Sequence, residues 1–126
     1  MEQKNQLNTK WLWLVSAIVL AVMGGFSAWA WGQLPADASI PVHWNMAGEP
    51  DRYGGKLEGL LILPLTVIAV ILIFNLIRYV DPLRKNIERS GQAYRATLVG
   101  ILLVLMALHI GATLNAVGYA VNIGVL

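Results

Sequence analysis

The sequence predicts an all-α integral membrane protein of three transmembrane helices, with an ordered loop between the first and the second. Three observations predict it. Of 126 residues, 57% are hydrophobic and 13% charged, whereas a soluble domain carries about 45–50% apolar and about 25% charged residues. Three stretches, Trp11 to Ala36, Gly59 to Ile77 and Ala96 to Leu126, contain no Asp, Glu, Lys or Arg, and a bilayer-spanning helix needs only about 20 mainly apolar residues. The cations are also lopsided. With spans at about 11–31, 60–79 and 94–119, Lys4, Lys10, Arg78, Arg84, Lys85, Arg89 and Arg95 fall on one side and only Arg52 and Lys56 on the other.

Basic residues in short loops are retained on the cytoplasmic side. In a cytoplasmic membrane, the N-terminus and the basic loop 80–93 are therefore expected on the inner side, and the loop 32–59 on the outer side. The pI of 9.2 reflects this arrangement, and nucleic acid is not an expected partner. The chain has no cysteine, which excludes disulfides and thiol chemistry.

The first apolar run, WLWLVSAIVLAVMGGFSAWAW, follows a short polar lead with Lys4 and Lys10. A basic start and the small-x-small site Ala28-Trp29-Ala30 are features of a signal peptide. The run is longer than a signal core, and Trp29 and Trp31 crowd the cleavage point, so it reads as a retained anchor. Within it Ala17, Ala21 and Gly25 recur every four residues, with Gly24 and Ala28 alongside; the third span has Ala112, Ala116 and Ala120 beside Ala107 and Gly111. Small residues at this spacing let helix backbones approach in lipid. The strips predict a pairing of the first and third spans, or of two copies of the chain in a homo-oligomer.

The connection 32–59 exceeds the roughly 12–15 residues beyond which an unstructured loop is unusual. It holds three of the five prolines, one of the two histidines and four of the seven acidic residues. Ile40, Val42, Trp44 and Met46 alternate with Pro41, His43 and Asn45, the period of a strand with one apolar face. Ala47-Gly48 and Pro50-Asp51 are turn chemistry, and Tyr53 resumes before Gly54-Gly55. The segment reads as a small ordered flap, a two-stranded β-ribbon with its apolar side on the helix ends.

In the second span, Pro64 is harmless in a first helical turn but kinks a helix that begins near Leu57; the carbonyl it frees must then be satisfied by a neighbour or water. Asn75 reads as a helix–helix hydrogen bond. In the inner connection, Asp81 and Pro82 can start a short helix that Ser90-Gly91 ends, and its cations suit anionic lipid headgroups. The third span carries His109, then Thr113 one turn on and Asn115 nearer the surface. An ionisable residue in a span is a functional candidate by default; the plainer reading is a neutral imidazole bonded to a neighbouring helix. Residues 1–126 read as a single membrane domain, and the apolar end AVNIGVL suits an N-terminal fragment of a longer protein.

Leu34-Pro35, Ile40-Pro41, His43, Asn45, Gly48, Pro50-Asp51, Tyr53, Lys56, Leu63-Pro64, Asp81-Pro82 and Tyr94 together resemble the N-terminal membrane domain of the SdpI-type bacterial immunity protein family. The resemblance implies a multi-span protein of the cytoplasmic membrane. It further implies immunity to a secreted toxin peptide outside and capture of a transcriptional repressor inside. The second half of such proteins, with more spans and an Arg-Thr-Pro-Trp-type motif, has no counterpart in this sequence.

Three functions follow as expectations. The first is binding of an extracytoplasmic ligand by the flap residues His43, Asn45, Gly48, Asp51 and Lys56, with no catalysis and no cofactor. The second is a metal-dependent enzyme in which His43 and His109, with Asp51 or Glu49, form a two-histidine, one-carboxylate set. The third is structural: Asp51 and Lys56 as an ion pair, His43 and Asn45 bonded to loop carbonyls. No nucleophile–base pair or nucleotide fingerprint is present, and Gly54-Gly55-Lys56 is too short for a phosphate loop. No Asp or Glu lies inside a span, which argues against a proton relay.

Overall fold

The computed structural model of the chain describes residues 10–80 and 91–121. Three helices, α1 (Lys10–Gln33), α2 (Lys56–Val80) and α3 (Gly91–Val117), carry between α1 and α2 a two-stranded antiparallel sheet, β1 (Ile40–Trp44) and β2 (Pro50–Gly54). All three helices are long and apolar enough to cross a bilayer. The short helix expected in 81–90, and its lipid contacts, lie outside the described residues.

The helices are apolar on nearly every side. Leu14, Ile18, Leu65, Leu72, Leu76 and Val104 are each more than half exposed, an apolar surface that water does not tolerate and lipid does. The chain is a multi-pass membrane protein. Its inner core joins Leu12, Val19 and Met23 of α1, Val67 and Ile71 of α2, and Leu98 and Leu102 of α3. Toward one end of this core the Tyr94 hydroxyl donates to the Phe74 carbonyl at 2.7 Å, with their rings 5.5 Å apart.

A second cluster closes the hairpin end of the bundle, where Ala30 of α1, Ile40 of β1 and Leu60 of α2 are buried together beside Ala116 and Val117. The first and third helices do pack together, and on α3 Gly111 is buried and Ala116 packs beside Ala30, but α1 turns inward another face than its small-residue strip. The buried face of α1 is Leu12, Ser16, Val19, Met23, Ser27 and Ala30, whereas Ala17, Ala21, Gly24, Gly25 and Ala28 are exposed. The reason is the number of neighbours. Spacing of three and four residues in turn gives a face broad enough to meet two helices, which a strip at every fourth residue does not.

One hydrogen-bond expectation is also corrected. Asn75 donates to the Ile71 carbonyl of its own helix at 2.8 Å rather than across to another. Ser16 and Thr66 likewise return to Leu12 and Ile62, four residues back, a common way for a polar side chain to be satisfied inside an apolar helix.

Candidate functional site

The hairpin is built by its turn. The Asn45 carbonyl accepts the Gly48 N–H at 3.0 Å and the Asn45 N–H donates to the Glu49 carbonyl at 2.9 Å. The Asn45 side-chain oxygen accepts the N–H groups of Ala47 and Glu49, each at 3.0 Å. Gly48 has φ of +76°, the left-handed conformation that closes a hairpin connection and that glycine adopts without strain. Asn45 and Gly48 are thus used by the fold. The strand alternation holds for Ile40, which is buried, and for Val42 and Trp44, which are half-buried, while His43 is exposed. It fails at Met46, which stands fully exposed at the turn because β1 has already ended.

Lys56 is also structural. As the first residue of α2, it donates through Nζ to the carbonyls of Trp31 at 2.7 Å and Leu34 at 2.9 Å, and sits 4.4 Å from the Trp31 ring centre. A cation at a helix C-terminus meets both the unpaired carbonyls and the negative end of the dipole. It does not pair with Asp51. Lys56→Met, which keeps the stem and removes the charge, is expected to cost about 1–2 kcal/mol of stability. Lys56→Arg should retain part of it; thermal unfolding in detergent checks both.

His43 and Asp51 form the polar pair that the hairpin turns outward. Nδ1 of His43 lies 2.6 Å from Oδ1 of Asp51, and both side chains are well exposed. Since a carboxylate only accepts, the proton of this bond is on Nδ1, which leaves Nε2 as the outward nitrogen. Arg52 and Glu58 form a neighbouring ion pair at 2.7 Å. His43 is therefore held by a carboxylate, and Asn45 by backbone amides, rather than by loop carbonyls.

His109 is elsewhere, and the metal set does not assemble. Its imidazole is buried among the three helices, and no group of three His, Cys, Asp or Glu side chains forms among the described residues. The bonds around it fix their own direction. Ser27 Oγ lies 2.7 Å from the Leu60 carbonyl, to which it must donate. The same oxygen, 2.8 Å from His109 Nε2, must then accept, so Nε2 carries a proton that is shared with the Met23 carbonyl at 3.2 Å. One chain of bonds joins α2, α1 and α3.

Pro64 explains why it starts at Leu60. The carbonyl of residue 60 would ordinarily accept the N–H of residue 64, and proline has none. Because α2 begins at Lys56, Pro64 lies inside the helix rather than in its first turn, and Ser27 supplies the missing donor. Composition does not single out Ser27, but its spacing does. Ser16 and Ser27 are eleven residues apart, about three helical turns, so both face the bundle. Thr113, one turn beyond His109, is buried with a hydroxyl that has no partner among the described residues.

A family model described as a domain of unknown function, DUF1648, matches residues 18–68. The match takes in the hairpin and both Ser27 and Leu60, and leaves out His109. No curated protein and no solved structure matches the chain.

Proposed function

We propose that the chain is an SdpI-like protein of the cytoplasmic membrane, with its N-terminus inside and the hairpin outside, that binds an extracytoplasmic ligand. A secreted toxin peptide is the ligand to which the resemblance points, and capture of a transcriptional repressor at the inner face is the signalling it implies. Of nine Lys and Arg, seven fall on the inner side in this orientation. Homo-oligomers would use the exposed Ala17, Ala21 and Gly25 strip of α1.

The observation that carries the reading is the exposed His43–Asp51 pair. Asn45, Gly48 and Lys56 are used by the turn and the helix end, so the structural reading accounts for those three. His43 and Asp51 hold each other in one orientation on a hairpin already fixed by its turn, and Nε2 is left to hydrogen-bond a ligand, as acceptor from the neutral ring or as donor from the charged one. A pre-ordered polar group loses little entropy on binding.

Expression of the chain in a toxin-sensitive strain is expected to protect it. His43→Ala and Asp51→Asn are expected to abolish protection with membrane abundance unchanged. Killing at the parental level despite correct insertion contradicts the immunity reading, and loss of protection that tracks loss of protein returns both residues to the fold.

A further inference from the structure

We infer that the seating of the outer hairpin and the buried His109 hydrogen-bond chain are one coupled unit, so that releasing either releases the other. Among the described strand residues, Ile40 is the one fully buried side chain, beside half-buried Val42 and Trp44 and the Arg52–Glu58 ion pair to α2. Every residue of β2 up to Tyr53 is exposed, whereas Ile40 of β1 is buried against Ala30 and Leu60. A Cβ on Gly59 would come within 2.7 Å of Ile40, so the side chain rests directly on the α2 backbone.

Its seat is made of the segments that hold the polar chain. Leu60 is the next residue and supplies the accepting carbonyl, and Ala30 lies one turn beyond Ser27, which supplies the donor. Ile40 and the Ser27–Leu60 bond therefore set the same α1–α2 spacing, one by contact and one by hydrogen bonding. With Pro64 at the position that would otherwise donate, the Leu60 carbonyl lacks the N–H four residues on that serves an ordinary helical carbonyl. The Ser27–Leu60 bond is consequently either made or lost outright, which favours two arrangements over a graded one. Since Ser27 is oriented by that donation, its acceptance of the His109 proton follows the same state. The coupling is a property of the chain alone and holds whether or not the hairpin takes a ligand.

Coupling of this kind is reciprocal, and reciprocity gives the test. In the full chain reconstituted in lipid nanodiscs, with labelled histidine and isoleucine methyls, Ile40→Ala is expected to raise the solvent exchange of the His109 Nε2 proton by about tenfold. Met46→Ala, at the exposed turn, should leave it unchanged. In the opposite direction, Ser27→Ala is expected to expose the Ile40 methyl to a water-soluble paramagnetic agent by about the same factor. A change below about twofold in either direction, in protein of normal helical content, overturns the inference. Should Ile40→Ala fail to fold, Ile40→Val and the Ser27→Ala measurement decide.

Discussion

Ser27→Ala is expected to lower the stability of the helix bundle by about 2 kcal/mol, although it removes one oxygen atom. Hydrogen bonds between membrane helices average about 0.6 kcal/mol and reach about 1.7, so the bond alone does not explain that figure. Most of the cost comes from the group left behind. The Leu60 carbonyl, lacking the N–H four residues on because of Pro64, loses its donor in a buried site, and an orphaned polar group costs about 1–3 kcal/mol. His109 keeps only its longer contact to the Met23 carbonyl. Pro64→Ala restores an N–H at the position that normally serves Leu60, so the cost of Ser27→Ala should fall by more than half in that background. Thr113→Val is the counterpart, because it removes a buried hydroxyl with no partner among the described residues and should be neutral or stabilising. Unfolding in mixed detergent micelles measures all these proteins; equal Ser27→Ala costs with and without Pro64 would refute the assignment of the carbonyl.

Gly59→Val is expected to displace the hairpin while leaving the three helices in place. Even the first atom of the new side chain would lie 2.7 Å from one Ile40 atom and 2.8 Å from its Cβ, and neither strand nor helix backbone can yield that much without moving. Overpacking of this kind costs about 1–3 kcal/mol, comparable to the grip of one buried isoleucine, so the hairpin should leave its seat. Gly54 offers the control. A Cβ there meets the end of the flexible Glu58 side chain, and Gly54→Ala should be tolerated. Limited proteolysis between residues 41 and 53 reads the difference: rapid cutting of Gly59→Val alone is the expected result, and equal resistance of the two variants contradicts it.

The spans are legible in the sequence because hydrocarbon thickness imposes a length that few other structures share, and the hairpin because Ile40, Val42 and Trp44 alternate between turn residues. What the sequence hides is direction. Ala17, Ala21 and Gly25 look like a contact face by spacing alone, yet the larger Leu12, Val19 and Met23 bury more surface against two neighbours and take the interior. The position of His109 is readable, but not its partners, since Ser27 and Met23 are 82 and 86 residues away and come close only in the assembled bundle. The role of Lys56 is hidden for the same reason: its carbonyl partners, 25 and 22 residues back, close the loop between two helix ends. Pro64 carries usable information throughout, because a proline inside a helix names the carbonyl that needs a donor.

The central claim is that a three-helix bundle holds the hairpin in the extracytoplasmic space, where His43 and Asp51 can meet a ligand. The chain has no cysteine, and Met46 is fully exposed at the hairpin turn, so Met46→Cys provides a single reporter at a position that no contact depends on. In intact cells this thiol is predicted to react with a membrane-impermeant maleimide, while Glu2→Cys reacts only after permeabilisation. Labelling of Met46→Cys only after permeabilisation would place the hairpin in the cytosol and contradict the account.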